Sequence, residues 1–156
     1  MTEPHRDWTD QPAEDAGLAD IWRRRFAFYD AYGTPNSSPE AQQAFKALPF
    51  GTRMRISGNF LAALFGPLYF FAKGMWRKGL SLLGLGLALG VVVAYTDFGG
   101  AIDRALNFVV PMIALLTANW CYYLQVRFRS ESWNPFEGMT SHRPPGRRPE
   151  AHAADS

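Results

Sequence analysis

Three long runs without a charged residue, 56–72, 79–96 and 105–126, occupy the middle of this 156-residue chain. A helix rises about 1.5 Å per residue, so the runs correspond to about 26, 27 and 33 Å, close to a hydrocarbon core of about 30 Å. Outside this block the chain is charged and rich in proline and serine. The runs therefore predict an all-α membrane protein.

The charges that flank the runs predict a topology. The link between the first and second runs carries three basic residues, whereas the link between the second and third carries two aspartates and one arginine. Because basic residues are enriched in cytoplasmic links, the first link and the C-terminal flank are expected in the cytoplasm. Runs 79–96 and 105–126 then form a transmembrane helical hairpin, and the chain is multi-pass with both termini cytoplasmic. The residues predicted to lie at the membrane interface are Arg23, Arg24, Arg25, Lys73, Trp76, Arg77, Lys78, Trp120, Tyr123 and Arg127.

The first run, 56–72, is predicted to be membrane-embedded or re-entrant rather than a full span. It contains Asn59 and the pair Gly66-Pro67, which favours a bend. A full span would place the basic N-terminal region outside the cell without a signal peptide. Three full spans remain the alternative.

The segments around this membrane domain, 53–129, are assigned by composition. Residues 1–16 are acidic and predicted to be disordered, and 130–156 form a disordered tail rich in proline and arginine. Residues 17–52 are predicted to form short amphipathic cytoplasmic helices, the second starting at Ser38 and Pro39. In the first, Trp22, Phe26 and Tyr29 follow a helical spacing. This stripe either lies on an anionic membrane surface or packs on a protein helix.

Small residues in the second run predict close helix packing. Gly86 and Gly90 are four residues apart, and such spacing lets two backbones approach. The partner is either the third run or a second copy. Asn119 is the deepest amide of the third run and is predicted to make an interhelical hydrogen bond; alternatively, it lines a polar path with Asn107 and Thr117 in an oligomer. The predicted helix-packing residues are Gly84, Gly86, Ala88, Gly90 and Asn119.

The sequence offers no arrangement expected of a catalytic or metal site. All three histidines lie in the predicted disordered tails, and the single cysteine, Cys121, excludes an intrachain disulfide. No enzyme activity, cofactor or metal is expected. Residues 21–129 hold twelve basic against four acidic residues. Because this excess flanks apolar runs, we expect contact with a lipid bilayer and anionic head groups rather than nucleic acid.

Two stretches resemble a known family. Residues 59–71 read NFLAALFGPLYFF and are followed by KGMW at 73–76, and ANWCYY stands at 118–123. These elements are similar to the bacterial family called domain of unknown function 2628, over roughly residues 45–130. The resemblance implies a small protein of the bacterial cytoplasmic (inner) membrane. It implies no activity, so no functional residues carry over.

These observations predict a small non-catalytic membrane protein that serves as a scaffold or accessory subunit. Its partner would be an unknown membrane protein or a second copy of the chain. The alternative is an oligomeric small transport or channel component. Transporters usually carry charged residues within their spans, and these runs carry none. A third hypothesis is a membrane-shaping protein that inserts the first run into one leaflet.

Overall fold

A computed structural model describes residues 19–96 and 99–139, which form helices joined by short links. No strand occurs in these described ranges, and the predicted all-α fold is confirmed. In chain order the helices are α1 (Asp20–Tyr32), α2 (Pro39–Ala47), α3 (Phe50–Ser57), α4 (Phe60–Phe65), α5 (Pro67–Ala72), α6 (Trp76–Tyr95) and α7 (Gly100–Phe128).

Helices α6 and α7 form the predicted hairpin. Both are long and apolar enough to cross a membrane, and only 17% of the most apolar window of each is buried. The start of α6 lies beside the end of α7. This proximity is seen in the hydrogen bond that Arg77 Nη1 donates to the Glu131 carbonyl at 2.7 Å. The 29 residues of α7 correspond to about 43 Å, which exceeds a hydrocarbon core of about 30 Å. One end of α7 can therefore extend beyond the hydrocarbon core, where the N-terminal helices pack on it.

The first apolar run is not one long helix. It contains the end of α3 and the short helices α4 and α5, which meet at Gly66 and contact each other. Gly66 has φ +52° and ψ −129°, a conformation that favours glycine, and Pro67 starts α5. Helix α4 packs on α7 and α5 packs on α6. The predicted bend at Gly66-Pro67 is present, while insertion of this pair into a membrane stays a prediction.

Helix α2 begins at a capping residue. The Ser38 hydroxyl accepts from the Ala41 amide at 3.1 Å, and Pro39 is the first residue of α2. Pro49 prevents α2 from continuing and precedes α3. The sequence does not predict α3 as a separate helix. Helix α3 crosses the predicted boundary between 52 and 53.

Residues 130–139 form a return segment that packs back on the start of α6. The Ser81 hydroxyl donates to the Trp133 carbonyl at 2.8 Å, and the Trp133 and Trp76 rings lie 5.6 Å apart. The sequence predicted disorder from residue 130, so the structure differs for these ten residues. The predicted disordered segment 1–16 and the remainder of the tail lie outside the described residues.

Candidate functional site

The aromatic stripe of α1 packs on the C-terminal half of α7. The Trp22 and Tyr122 ring centroids lie 4.5 Å apart, and those of Phe26 and Tyr123 lie 5.3 Å apart in an edge-to-face arrangement. The ring of Trp120, also on α7, packs on α1, with its centroid 5.2 Å from that of Tyr29. These rings form one aromatic cluster whose α1 members are buried. Of the two hypotheses for the aromatic stripe, a membrane surface or a protein helix, the structure therefore supports packing on a protein helix.

The same cluster holds two residues predicted to lie at the membrane interface. Trp120 and Tyr123 are each only 2% exposed, because α1 covers them. Trp76 is half exposed and lies beside the return segment. A role for these aromatic residues at a lipid boundary stays a prediction; their observed neighbours are protein rings.

A buried amide network, here called the amide hub, joins α3, α4 and α7. The last carbonyls of a helix have no partner within it. At the end of α3, the Asn119 side-chain N–H groups donate to the Gly58 carbonyl at 3.0 Å and the Ile56 carbonyl at 3.1 Å. The Asn119 oxygen accepts from Asn59 Nδ2 at 3.0 Å. Asn119 thus bonds to the end of α3 and to the residue that precedes α4.

Two tyrosines complete the amide hub. Asn59 Nδ2 also donates to the Tyr69 hydroxyl at 2.8 Å, while Asn59 Oδ1 caps α4 by accepting from the Ala62 amide at 3.1 Å. The Tyr29 hydroxyl donates to the Ile56 carbonyl at 2.8 Å. Burial raises the pKa of Tyr29, so the hydroxyl stays a donor. An asparagine before an apolar segment is a helix-cap signal, and this signal would have identified Asn59.

Lys78 lies in the interior rather than at the surface. Its side chain is 2% exposed, and its ammonium group donates to Glu137 Oε2 at 3.0 Å and to the Ser130 hydroxyl at 3.2 Å. The Trp120 indole N–H donates to the Glu137 carbonyl at 2.7 Å. Lys78 therefore holds the return segment in place. The sequence does not predict this pair, because Glu137 lies in the segment expected to be disordered.

The predicted helix-packing glycines have open surroundings within the chain. A Cβ atom on Gly86 would lie 3.6 Å from Val110, an ordinary contact, and one on Gly84 or Gly90 would meet nothing within 4 Å. Ala88 is exposed. The close approach lies instead at Gly79, where a Cβ atom would come within 3.0 Å of the Phe71 ring.

The remaining predicted interface residues are basic, and most contact this chain. Arg23 pairs with Asp20, and Arg127 Nη2 lies 2.9 Å from Asp30 Oδ2. The Lys73 ammonium group lies 4.8 Å from the centre of the Tyr122 ring, a cation–π contact. Arg77 Nη1 lies 3.1 Å from Glu131 Oε2.

Arg24 is exposed and Arg25 is buried beside the aromatic cluster.

Within the described residues, no group of histidine, cysteine, aspartate or glutamate side chains could hold a metal ion. Cys121 is buried, and its thiol donates to the Pro135 carbonyl at 3.1 Å. The hydrogen bonds of the amide hub connect α1, α3, α5 and α7 with the start of α4, so the amide hub is a structural joint.

Comparison with known proteins identifies the family. The family described as "Protein of unknown function (DUF2628)" matches residues 8–127, and the chain belongs to it, as the resemblance in the sequence predicted. The "Uncharacterized protein YigF" of Salmonella typhimurium is 33% identical over 119 residues, covering 72% of this chain and 89% of that protein. The protein of the same name from Escherichia coli is 34% identical over the same shares of both chains. No solved structure matches the chain.

Proposed function

We propose that this member of the family is a small non-catalytic integral membrane protein that serves as a scaffold or accessory subunit for a membrane partner. The observation that carries the proposal is the outward apolar surface of the α6–α7 hairpin. The core helix of a soluble protein is mostly buried, whereas 17% of the most apolar window of each of these helices is buried. Contiguous apolar surface of this kind marks contact with a membrane or with protein.

The charges support a position with both termini in the cytoplasm of a bacterial cell. The start of α6 and the end of α7 lie side by side and carry Arg77, Lys78 and Arg127, and Lys73 lies in the link before α6. Basic residues beside a span favour the cytoplasmic face. The opposite end of the hairpin, before Gly100, then faces outward.

The use of the polar side chains favours a scaffold over a channel. A polar path needs side chains that are available to an ion or solute. Asn107 Nδ2 donates to the Asp103 carbonyl at 3.0 Å, and the Thr117 hydroxyl donates to the Ile113 carbonyl at 2.8 Å. Asn119 is committed to the amide hub. Of the three residues that the channel hypothesis invokes, Thr117 and Asn119 are buried and bonded within the chain, and Asn107 is exposed.

The outward face of α6 is where a partner helix would pack. Gly84 and Ala88 lie four residues apart, both are exposed, and nothing in the described chain lies within 4 Å of a Cβ atom built on Gly84. Small residues at this spacing allow a second helix to approach closely. This feature supports a helical partner in the membrane.

Two measurements test membrane integration and orientation. The chain should stay in the membrane pellet after alkaline carbonate extraction. In a Cys121→Ala background, an impermeant maleimide added to intact cells should label Ala101→Cys, which is exposed beside the outer link. It should label Gln43→Cys, exposed on α2, only after permeabilisation. Extraction by carbonate would refute the membrane location, and the reverse labelling pattern would refute the orientation.

Cross-linking in native membranes tests the scaffold role. A membrane protein captured in stoichiometric amount from wild-type cells, and lost with Gly84→Leu, supports the proposal. The matched control is Leu87→Ile, an exposed apolar exchange on the same helix, which should leave capture unchanged. A homo-oligomer that conducts ions in liposomes would instead support the channel.

A further inference from the structure

A cleft of about 310 Å³ lies between α1 and α3, outside the amide hub. Arg24 and Arg25 line it from α1, and Thr52 and Arg55 line it from α3; these residues define the arginine cleft. Small-molecule pockets start at about this volume. Three arginines and a threonine thus line one partly open cleft.

The guanidinium group of Arg25 is buried without a carboxylate partner. The residue is 7% exposed, its Nε donates to the Arg55 carbonyl at 2.6 Å, and its Cζ lies 4.5 Å from the Trp22 ring centre. Among the described residues no acid pairs with it, and Asp20, which also lines the cleft, pairs with Arg23. Burial lowers the pKa of Arg25, which reflects the cost of removing its charge from water. An anion in the cleft would offset that cost.

The cleft lies next to an exposed apolar segment. Helix α3 passes through Gly58 into α4, whose Phe60, Leu61 and Leu64 are exposed. Ile21, which lines the cleft, is also partly exposed. A ligand with an anionic group and an apolar remainder has complementary surface here.

We propose that the arginine cleft binds a phosphate group, carried either by a lipid head group or by a soluble phosphate. Several arginine forks around one point suit an anion with three or more acceptor oxygens better than a carboxylate with two. The lipid source rests on the proposed membrane location, whereas the soluble source does not.

The test uses the full chain purified in non-ionic detergent and titrated by calorimetry with three probes. Dioctanoyl phosphatidic acid supplies phosphate with acyl chains, dioctanoylglycerol supplies the chains alone, and inorganic phosphate supplies the anion alone. We expect saturable binding of phosphatidic acid and none of dioctanoylglycerol. Phosphate that displaces the lipid identifies the anion as the recognised group, and phosphate binding without lipid binding assigns a soluble ligand.

Paired variants separate a site from diffuse surface charge. Arg55→Gln should weaken binding about tenfold, the loss expected for one charge-assisted contact, and Arg24→Gln with Arg55→Gln should weaken it further. Arg53→Gln removes the same charge from the same helix but outside the cleft, so its affinity should stay within about twofold of wild type. The Arg55 side chain is exposed, so unchanged circular dichroism should show that its variant folds.

Equal losses in Arg53→Gln and Arg55→Gln would overturn the inference, as would absence of binding by both phosphate probes. Carbonate extraction keeps this failure distinct from failure of the proposed function. A chain that stays in the membrane without binding phosphate refutes the cleft alone. A chain that binds phosphate but is extracted refutes the membrane role alone.

Discussion

Asn119→Ala should destabilise the fold because it removes the central member of the amide hub. The side chain is 1% exposed and makes its short hydrogen bonds to the Gly58 and Ile56 carbonyls and to Asn59. The Ile56 carbonyl keeps the Tyr29 hydroxyl at 2.8 Å. The Gly58 carbonyl and one N–H of Asn59 lose their partner. A buried polar group left without a partner costs about 1–3 kcal/mol, so the two together predict about 2–6 kcal/mol.

Relaxation of the amide and entry of water will reduce the measured loss, so we expect about 3 kcal/mol. That is a large fraction of the 5–15 kcal/mol that stabilises a typical domain. The assay is equilibrium unfolding of the full chain in detergent, followed by tryptophan fluorescence, since Trp22 and Trp120 lie in the aromatic cluster. The midpoint of the transition should fall while its slope stays unchanged.

A matched control and a double-mutant cycle make the test specific. Asn107→Ala removes the same amide from the same helix, but Asn107 is exposed and bonds only to the Asp103 carbonyl, so its loss should stay below about 0.5 kcal/mol. Combining Asn119→Ala with Asn59→Ala should cost less than the sum of the two, by about 1 kcal/mol, because they share a hydrogen bond. If Asn119→Ala matches the control, or the two losses add fully, the amide hub does not stabilise this fold.

Three further predictions use the same unfolding assay or a simple cleavage assay. Gly79→Leu should cost more than Gly86→Leu, by about 1–3 kcal/mol, because a Cβ atom at Gly79 comes within 3.0 Å of the Phe71 ring; equal losses would contradict the packing. Tyr29→Phe should cost about 1 kcal/mol, since it removes the hydroxyl that bonds to the Ile56 carbonyl. Lys78→Met should speed chymotryptic cleavage within the return segment, after Trp133 or Phe136, seen by mass spectrometry, because the lysine pairs with Glu137 there; unchanged cleavage would mean that other contacts hold the segment.

The helical hairpin could be predicted from sequence because its signal is local and one-dimensional. An uncharged run of sufficient length selects a helix whose side chains need no particular partner. The break at Gly66-Pro67 has the same character, since proline starts α5 and glycine accepts a positive φ. The helix start at Ser38 also depends on adjacent residues alone.

The candidate site could not be predicted because its partners are distant in sequence. Spacing identifies the face on which Gly86 and Gly79 lie, but not which element opposes that face. Helix α5 packs against Gly79 because the chain reverses between the two helices, in a link where Gly74 has φ +78°. Likewise, Lys78 and Glu137 are 59 positions apart, and neither signals the other locally.

Ion pairs between distant residues also alter the anion attraction expected from the basic excess of this chain. Counted from sequence, all twelve basic residues of 21–129 are available to attract anionic lipid. In the described structure four of them pair with acids of the chain: Arg23 with Asp20, Arg77 with Glu131, Lys78 with Glu137, and Arg127 with Asp30. Paired charges contribute little to attraction at a distance, because each acid cancels the field of its partner. Of the remaining eight, Arg24, Arg25 and Arg55 line one cleft, so attraction to anions should be strongest there. The salt dependence of lipid binding should therefore be determined more by these three arginines than by the net charge of the chain.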